Sequence, residues 1–450
     1  MTRVIITAIG SAGDVHPLLG IGAALAARGH EIVFCTHPPF AEAATRQGFA
    51  FVPIGTAADY EAAMANPALW HPRTSFRTLW AVIAPTLRPH FDTLAALVDN
   101  DTVLVGTLWA FSARLMQELY GVPFVSVQVS PSTLLSAHAP PTHPRLTIPR
   151  GLPLAVKTAL MRLIERQALD KVCGPALNAL RAELTLAPAR RIFGKWLHST
   201  DGVLCLFPEW FAQAQPDWPA PRCLSGFPLF NDTGAPAPDP QLDAFLTAGE
   251  RPVVFTAGST LIDQDRYANA VSAALMESGL RGILLTPDAP PVDAAAAQAG
   301  VRADARADAQ GVLLKRRYVP LQKLLPRCRA LVYHGGIGTA ALAYAAGIPQ
   351  VLTPFAHDQF DNTQRVVASG CGVRLDRPLQ PQALARALKQ VLGSPSIATQ
   401  CGRMQDRLAT STDGCEAAAR YIEGLMGTGV RTQTVGHTFS LALADSGHSL

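Results

Sequence analysis

Two side chains that could move a proton lie close together near the start of the chain. Asp14 and His16 follow the turn GSAG, which comes directly after an apolar run at residues 3–9. A carboxylate or an imidazole in such a place can serve as a general base. Each also has a purely structural alternative, since Asp commonly caps a helix and His16 could pack within one. The residues themselves indicate a candidate base and leave both candidates open.

A second stretch combines features that are typical of an anion-binding site. In LVYHGGIGTAALAYAAG, residues 331–347, a short apolar strand runs into a His-Gly-Gly turn and then into an Ala-rich helix. Gly336 and Gly338 let the backbone approach an anion, and the free N–H groups at the start of the helix favour negative charge. His334 can donate to a phosphate oxygen. The pattern predicts a phosphate cradle.

The ligand of this cradle has two interpretations. Gly336, Gly338 and Ala341 fit the G-x-G-x-x-A pattern of dinucleotide-binding folds, and Asp358 lies at a suitable distance to hold a ribose. That fingerprint normally follows the first strand of its domain, whereas about a hundred residues of the same half precede it here. A sugar nucleotide is therefore favoured over a dinucleotide.

Motifs in a fixed order resemble the donor signature of inverting enzymes of the UDP-glycosyltransferase family. They begin with Tyr318 and Val319, continue with His334 and its glycines, and end with Asp358 and Gln359. The likeness covers nearly the whole chain. In the runs GSAGDVHPLL, SVQVSPSTLLSAHAPP and GVLCLFPEWFA the sequence is similar to rhamnolipid-forming members of the family.

The resemblance implies a role for most of these residues. Asp14 takes the place of the catalytic histidine in the family motif G-H-x-x-P, which ranks it ahead of His16 as the base. Tyr318 would stack on the nucleotide base, while Leu321 replaces a glutamine of the family that contacts the ribose. Asp358 and Gln359 would bind sugar hydroxyls. The implied donor site consists of Gly258, Ser259, Thr260, Tyr318, Val319, His334, Gly336, Gly338, Thr339, Asp358 and Gln359.

The acceptor is expected to meet the first half of the chain, where aromatic residues are concentrated at 69–80 and 108–111. Aromatic side chains alternate there with Arg73 and Arg77, a mixture suited to an acyl chain that ends in a carboxylate. Core packing is the alternative for about half of these aromatics. The predicted acceptor set is Trp70, Arg73, Phe76, Trp80, Trp109 and Ser130, and the loop 130–145 is expected to close over it.

Apolar runs of strand length alternate with helical stretches along the chain, which predicts an α/β protein with parallel sheets. With the resemblance, this becomes the GT-B architecture, in which two doubly wound, Rossmann-like domains face each other across a cleft. The predicted division is an acceptor domain at 1–230, a linker rich in Pro, Gly and Asp at 231–241, a nucleotide-sugar domain at 242–426 and a loosely ordered tail at 427–450.

Composition excludes several other classes of protein. Lys plus Arg exceed Asp plus Glu by 38 − 34 = 4, without long basic runs, so a nucleic-acid partner is not indicated. The 8 cysteines form no C-x-x-C motif, which favours a reduced cytoplasmic protein. Two D-x-D triplets, at 99–101 and 263–265, could hold a metal ion. The first instead fits a polar turn before a strand, and the second fits the start of a helix, where carboxylates suit solvent or the helix dipole. No metal or other cofactor is therefore expected.

The resemblance finally implies a reaction and its partners. L-rhamnose would pass from dTDP-L-rhamnose to the hydroxyl of a 3-(3-hydroxyalkanoyloxy)alkanoate, giving a mono-rhamnolipid. A macrolide, sterol or other apolar acceptor is one alternative, and a non-catalytic lipid-binding or nucleotide-binding subunit is another. Because the lipid acceptor partitions to membranes, we expect peripheral attachment to the inner face of the cytoplasmic membrane and possible contact with the enzyme that makes the acceptor.

Overall fold

Parallel strands alternate with helices throughout the described chain. The computed structural model describes residues 2–143, 147–230, 239–256, 264–287, 289 and 312–426. Short runs of Val, Ile, Leu and Phe form the strands, because helices cover both faces of each sheet and apolar side chains fill the space between. The apolar run at residues 3–9 forms the first strand, Arg3–Ala8, and the apolar run before the His-Gly-Gly turn forms the strand Ala330–Tyr333.

The first half of the chain forms one sheet. Its strands are β1 (Arg3–Ala8), β2 (Glu31–Thr36), β3 (Ala50–Pro53), β4 (Thr102–Gly106), β5 (Phe124–Gln128), β6 (Gly202–Cys205) and β7 (Arg222–Leu224). They lie side by side in the order β3-β2-β1-β4-β5-β6-β7, with all pairs parallel. The order reverses between β1 and β4, and parallel sheets bind ligands beyond the carboxyl ends of the strands at such a point.

The second half forms another parallel sheet. Its strands are β8 (Val253–Thr256), β9 (Gly282–Leu285), β10 (Leu313–Arg316), β11 (Ala330–Tyr333), β12 (Gln350–Leu352) and β13 (Gly372–Arg374). The order is β10-β9-β8-β11-β12-β13, again all parallel. Here the order reverses between β8 and β11. The predicted fold class, two doubly wound parallel-sheet domains, is confirmed.

Helices connect the strands and cover both sheets. They are α1 (Ala12–Ala27), α2 (Ala41–Arg46), α3 (Ala57–Ala65), α4 (Ser75–Ile83), α5 (Leu87–Leu97), α6 (Phe111–Tyr120), α7 (Leu154–Ile164), α8 (Lys171–Glu183), α9 (Pro240–Thr247), α10 (Gln264–Ser278), α11 (Leu321–Leu324), α12 (Ile337–Ala345), α13 (Gln359–Ala368), α14 (Pro381–Gly393), α15 (Pro395–Ala409) and α16 (Gly414–Met426).

The last of these helices packs on the first sheet. Ala418 and Ile422 of α16 are buried in one apolar cluster with β1 and α1. Gly20 of α1 lets the helices approach, since a Cβ there would lie 2.7 Å from the Sγ of Cys415. Arg28 and Glu423 add an ion pair at 2.6 Å. The chain therefore returns from the second sheet to the first.

Three elements of the structure were not predicted, and two predicted segments lie wholly or partly outside the described residues. β7 and β13 have three residues each at sheet edges, too short for a periodic pattern, and α15 was also not predicted. Residues 231–238 of the predicted linker and the whole predicted tail, 427–450, lie outside the described residues. The proposed domain limits stay a prediction.

Candidate active site between the two sheets

Loops that follow the strands of the two sheets meet in a cleft. Ser130, two residues after β5, donates a hydrogen bond to Oδ1 of Asn362 at 3.1 Å. The ring of Trp70 lies 5.4 Å from that of His357, which follows β12. Each contact joins one sheet's loops to the other's. The cleft thus lies at the switch points that the strand orders predict.

Asp14 enters the cleft from the first turn of α1. Its Oδ2 accepts the backbone N–H of Ser11 at 2.9 Å and the Ser11 hydroxyl at 3.2 Å. Gly10 has a φ of +138°, and a methyl group there would overlap the Asp14 carboxylate. The glycine turn therefore makes room for the carboxylate, and the Ser11 bonds fix its orientation.

The surroundings of Asp14 make it a stronger base than aspartate in water. Its pKa is raised to about 6, chiefly by burial and also by the negative charge of Asp358, while the hydrogen bonds from Ser11 act in the opposite direction. The carboxylate is still mostly ionised at neutral pH, while its affinity for a proton is higher than that of an exposed Asp. Asp14 and Asp358 follow strands of different sheets, so the part of the shift that comes from Asp358 depends on the cleft.

His16 lies elsewhere on the same helix. Its ring meets Phe40 edge-on, with centroids 6.1 Å apart. Residues two apart on an α-helix do not share a face, so the side chains of Asp14 and His16 leave α1 in different directions. The geometry around Asp14 is that of a base oriented by neighbouring donors, and His16 is packed beside an aromatic ring.

The glycines after β11 bring backbone and imidazole together. Gly335 has a φ of +94°, and a Cβ there would lie 2.9 Å from the carbonyl oxygen of Gln359. A Cβ on Gly336 would lie 2.6 Å from Nε2 of His334, whereas one on Gly338 would meet nothing within 4 Å. Thr339 follows in the first turn of α12. The imidazole therefore lies against an open helix N-terminus, as an anion site requires.

His334 is neutral at physiological pH. Burial, with a further contribution from the positive charge of Arg377, lowers its pKa to about 4. Its Nδ1 is buried, and among the described residues it has no hydrogen-bond partner. A neutral imidazole that lacks a protein partner can still donate to a charged phosphate oxygen.

Arg377 is a cation near the cradle that the sequence analysis missed. Its Nε donates to the carbonyl oxygen of Thr353 at 3.1 Å, and its guanidinium lies 4.4 Å from the ring of Phe355. Phe355 in turn packs against His334, with centroids 6.2 Å apart. A single Arg three residues after an edge strand belongs to no recognisable pattern, so only the packing reveals its place.

The predicted sugar-binding pair begins α13. Asn362 donates to Oδ2 of Asp358 at 2.8 Å, and burial raises the Asp358 pKa against the effect of such hydrogen bonds. Oε1 of Gln359 accepts the N–H groups of Phe355 and Ala356 at 3.0 and 3.1 Å. The oxygen of Gln359 therefore holds its own loop, and its amide nitrogen remains to meet a ligand.

The nucleotide end of the site is described in part. Tyr318, after β10, is 54% exposed, while the neighbouring Val319 is buried. An exposed aromatic face beside a fixed backbone suits base stacking. Gly258, Ser259 and Thr260 lie outside the described residues.

The predicted acceptor residues separate into cleft and core groups. Trp70 borders the cleft and is anchored by its Nε1, which donates to the carbonyl of Met64 at 3.0 Å. Trp80 is buried against Phe111, with centroids 5.2 Å apart, and is a core residue instead. The structure places the remaining predicted residues as follows: Phe76 and Trp109 pack against Phe193, Arg73 is exposed, and Ser130 is buried beside Asn362.

The D-x-D triplets have structural partners where they are described. Asp99 binds Arg3 at 2.7 Å and accepts the hydroxyl of Thr102 at 2.7 Å, which closes a turn before β4. Asp265 lies in the first turn of α10, and residue 263 is outside the described chain. Across the described ranges, no group of three His, Cys, Asp or Glu side chains is arranged as metal ligands.

Comparisons with known proteins agree with this arrangement. Residues 4–139 match the glycosyltransferase family 28 N-terminal domain, and residues 294–423 match the C-terminal domain of erythromycin biosynthesis protein CIII-like proteins. The glycosyltransferase GtfC of Amycolatopsis orientalis is 30% identical over 435 residues, which cover 93% of this chain and 97% of GtfC. The dTDP-epi-vancosaminyltransferase of the same organism is 27% identical, with 88% and 91% covered.

A solved structure shares the fold over nearly the whole chain. The glycosyltransferase of kitacinnamycin superposes with a TM-score of 0.70 at 18% identity, covering 94% of this chain and 99% of its own. Two facing Rossmann-like domains of this kind define a GT-B glycosyltransferase. The chain belongs to the UDP-glycosyltransferase-like family of GT-B enzymes, together with GtfC. The non-catalytic alternative is therefore set aside.

Proposed function

We propose that the enzyme is an inverting, metal-independent rhamnosyltransferase. It moves L-rhamnose from dTDP-L-rhamnose to the hydroxyl of a 3-(3-hydroxyalkanoyloxy)alkanoate and forms a mono-rhamnolipid. The observation that carries the proposal is the position of Asp14, a base with a pKa of about 6, opposite Asp358 across one cleft. The runs that resemble rhamnolipid-forming enzymes supply the substrate class, and a relative named for a dTDP-sugar supports the nucleotide.

The proposed reaction is a single displacement. Oδ2 of Asp14 is occupied by Ser11, so Oδ1 takes the proton of the acceptor hydroxyl as that oxygen bonds to the anomeric carbon. The bond from this carbon to the diphosphate breaks on the opposite side, which inverts the configuration. The negative charge that develops on the diphosphate is met by His334 and the N-terminus of α12.

The residues at the start of α13 orient the donor sugar. Asp358 accepts from sugar hydroxyls, and the amide nitrogen of Gln359 donates to them. Asn362 holds Asp358 through its Nδ2 at 2.8 Å, and the same Nδ2 reaches the carbonyl of Gly335 at 3.2 Å. One side chain therefore links the sugar site to the diphosphate cradle, which keeps the two ends of the donor in register.

The lipid acceptor places the enzyme at a membrane. Among the described residues no helix is long and apolar enough to cross a bilayer. We therefore propose peripheral attachment to the inner face of the cytoplasmic membrane, where an anionic amphiphile would accumulate. Contact with the enzyme that makes the acceptor belongs to the same proposal.

The second candidate function is transfer to a macrolide or another apolar natural product. It is favoured by the match of residues 294–423 to a domain named from erythromycin biosynthesis. The two candidates share the base, the cradle and the direction of attack. They differ only in the acceptor substrate that the first domain binds, so an assay of acceptor specificity distinguishes them.

One assay tests the proposal. Purified enzyme is incubated with a hydroxyalkanoyloxyalkanoate and, separately, with a macrolide aglycone, each against dTDP-L-rhamnose, dTDP-glucose and UDP-glucose. Mass spectrometry should find a rhamnosyl product of the lipid alone, and its anomeric configuration should be opposite to that of the donor. A macrolide product without a lipid product would establish the second candidate. Full activity in EDTA is expected, and loss that Mg²⁺ restores would overturn the metal-free mechanism.

A further inference from the structure

Helix α7 lies on the surface of the protein. None of its 11 residues is buried. Leu154, Val156 and Leu163 are 44%, 43% and 54% exposed, and they are three of the six large apolar side chains exposed in the described part of the chain. Water-exposed Leu and Val concentrated within ten residues mark a surface that something else covers.

The charges around α7 are one-sided. Arg150, Arg162, Arg166 and Lys171 are exposed. Between residues 150 and 171 the acidic side chains are Glu165 and Asp170 alone, and both are engaged with the stretch after residue 190. The structure records these contacts as follows: Glu165 accepts Gly194 N at 2.6 Å, and Asp170 accepts Arg191 N at 2.8 Å and Ile192 N at 2.9 Å. The outer surface is left with positive charge.

The helical spacing arranges these residues by type. Val156, Ala159 and Leu163 are three and four residues apart and form one stripe along the helix. Arg162 lies beside that stripe on α7, and Arg166 follows in the π-helical segment Glu165–Asp170 that continues the helix. An apolar stripe edged by arginines is the pattern of a helix that lies in a bilayer interface, with acyl chains below and phosphates at the sides.

We propose that α7 is the surface through which the enzyme docks on an anionic lipid bilayer. Charge complementarity selects this occupant, since the exposed side of the segment is cationic and anionic headgroups attract Lys and Arg near the surface. The inference rests on the proposed function in one respect, namely that an amphiphilic acceptor reaches the cleft from the same bilayer. The aromatic residues of the first domain are less suited to this contact, because Trp80 is buried in its core and Phe76 and Trp109 are partly buried against that core.

The path from α7 to the cleft is short in sequence. The loop that precedes it reaches the second domain, where Thr142 N donates to Oδ1 of Asp361 at 2.9 Å. Asp361 is buried on α13, the helix that begins with the sugar-binding pair. A docked α7 would therefore hold the entrance loop of the acceptor side next to the membrane.

Vesicle co-sedimentation of the full-length enzyme, without substrate, tests the docking surface. One set of vesicles contains phosphatidylcholine with about 30% phosphatidylglycerol, which gives an anionic surface, and the other contains neutral phosphatidylcholine alone. Wild type should bind the anionic vesicles and release them in high salt. Arg162→Gln with Arg166→Gln should weaken binding roughly 25-fold, about fivefold for each cation. Val156→Gln with Leu163→Gln should weaken it roughly tenfold or more.

Matched controls come from the second domain. Met276→Gln removes an apolar side chain that is 57% exposed, and Arg403→Gln removes an exposed cation. Both should bind vesicles like wild type, and all variants should keep wild-type turnover of a short-chain, water-dispersed acceptor. Circular dichroism and melting should match throughout, since every substituted side chain is exposed.

Three results would overturn the inference: wild type that ignores anionic vesicles at low salt, α7 variants that bind as well as the controls, or equal binding to neutral vesicles. A shift in oligomeric size of the α7 variants with unchanged vesicle binding would assign the surface to a protein contact instead. Vesicle binding is measured without substrate, so it tests the docking surface even if the rhamnolipid assay gives no product. The rhamnolipid assay likewise tests the proposed reaction even if vesicle binding fails.

Discussion

Replacing Asp14 with Asn should abolish sugar transfer and at the same time stabilise the fold. The amide keeps the shape of the carboxylate, and its oxygen can accept the same two bonds from Ser11. It cannot take a proton, so the acceptor hydroxyl stays unactivated. It also carries no charge, so neither burial nor the neighbouring Asp358 opposes it.

The expected gain follows from the pKa. A rise from 3.8 to about 6 corresponds to about 3 kcal/mol, at about 1.36 kcal/mol for each pKa unit. Asp14 is only half-buried, so solvent screening reduces the gain in unfolding free energy to roughly 1–2 kcal/mol. The sign follows from proton binding. The folded state holds this proton more tightly than the unfolded state, so wild type loses stability as pH rises from about 4 through about 6.

The assay compares urea unfolding of wild type and Asp14→Asn at pH 4.5 and pH 7.5, with dTDP affinity and turnover measured on the same samples. The difference in unfolding free energy between the variant and wild type should be small at pH 4.5 and reach its full value at pH 7.5. The dTDP affinity of the variant should be near that of wild type. Asp59 is the matched control. It occupies the same third position of a helix, next to Thr56 as Asp14 is to Ser11, but it is exposed. Asp59→Asn should gain no stability and keep full activity.

Two results would refute this reasoning. If Asp14→Asn kept substantial turnover while His16→Ala lost it, the base would be His16. If Asp14→Asn were less stable than wild type at pH 7.5, the carboxylate would not be strained by burial, and the pKa argument for its basicity would fall with it.

The remaining predictions concern the cradle, the glycine turn and pH. His334→Ala should weaken dTDP binding by about 1.5 to 3 kcal/mol in calorimetry, because a hydrogen bond to a charged phosphate is lost; unchanged affinity would remove His334 from the cradle. Gly10→Ala should lower kcat with little effect on dTDP affinity, since the added methyl group overlaps the Asp14 carboxylate. The control is Gly29→Ala, which also has a positive φ but has open space around it, and it should lower only the stability of the fold. The rate should rise with pH through about 6 as Asp14 loses its proton, and Asp358→Asn should move this limb to lower pH; a limb that stays in place would show that the two carboxylates do not interact.

Local pattern determined much of this protein. The sheet-forming runs, the helix behind the His-Gly-Gly turn and the place of His334 beside that helix could be predicted from the sequence, because backbone periodicity and glycine geometry act over a few residues. The ranking of Asp14 as the base and the sugar-binding role of Asp358 came instead from the resemblance to the family's motifs. Gly335 and Gly336 illustrate this well. Their neighbours in the chain, His334 and the start of α12, are also their neighbours in space.

Only the tertiary structure decided how these parts work together. The pKa of Asp14 depends first on burial and then on Asp358 from the other sheet, and the neutral state of His334 depends on burial and on Arg377. The sequence predicts Trp80 to bind the acceptor because it lies in a stretch where aromatic residues alternate with arginines. In the structure its side chain is buried in the core. Burial and charge act through space between residues far apart in the chain, and no spacing along the sequence encodes which of them will meet.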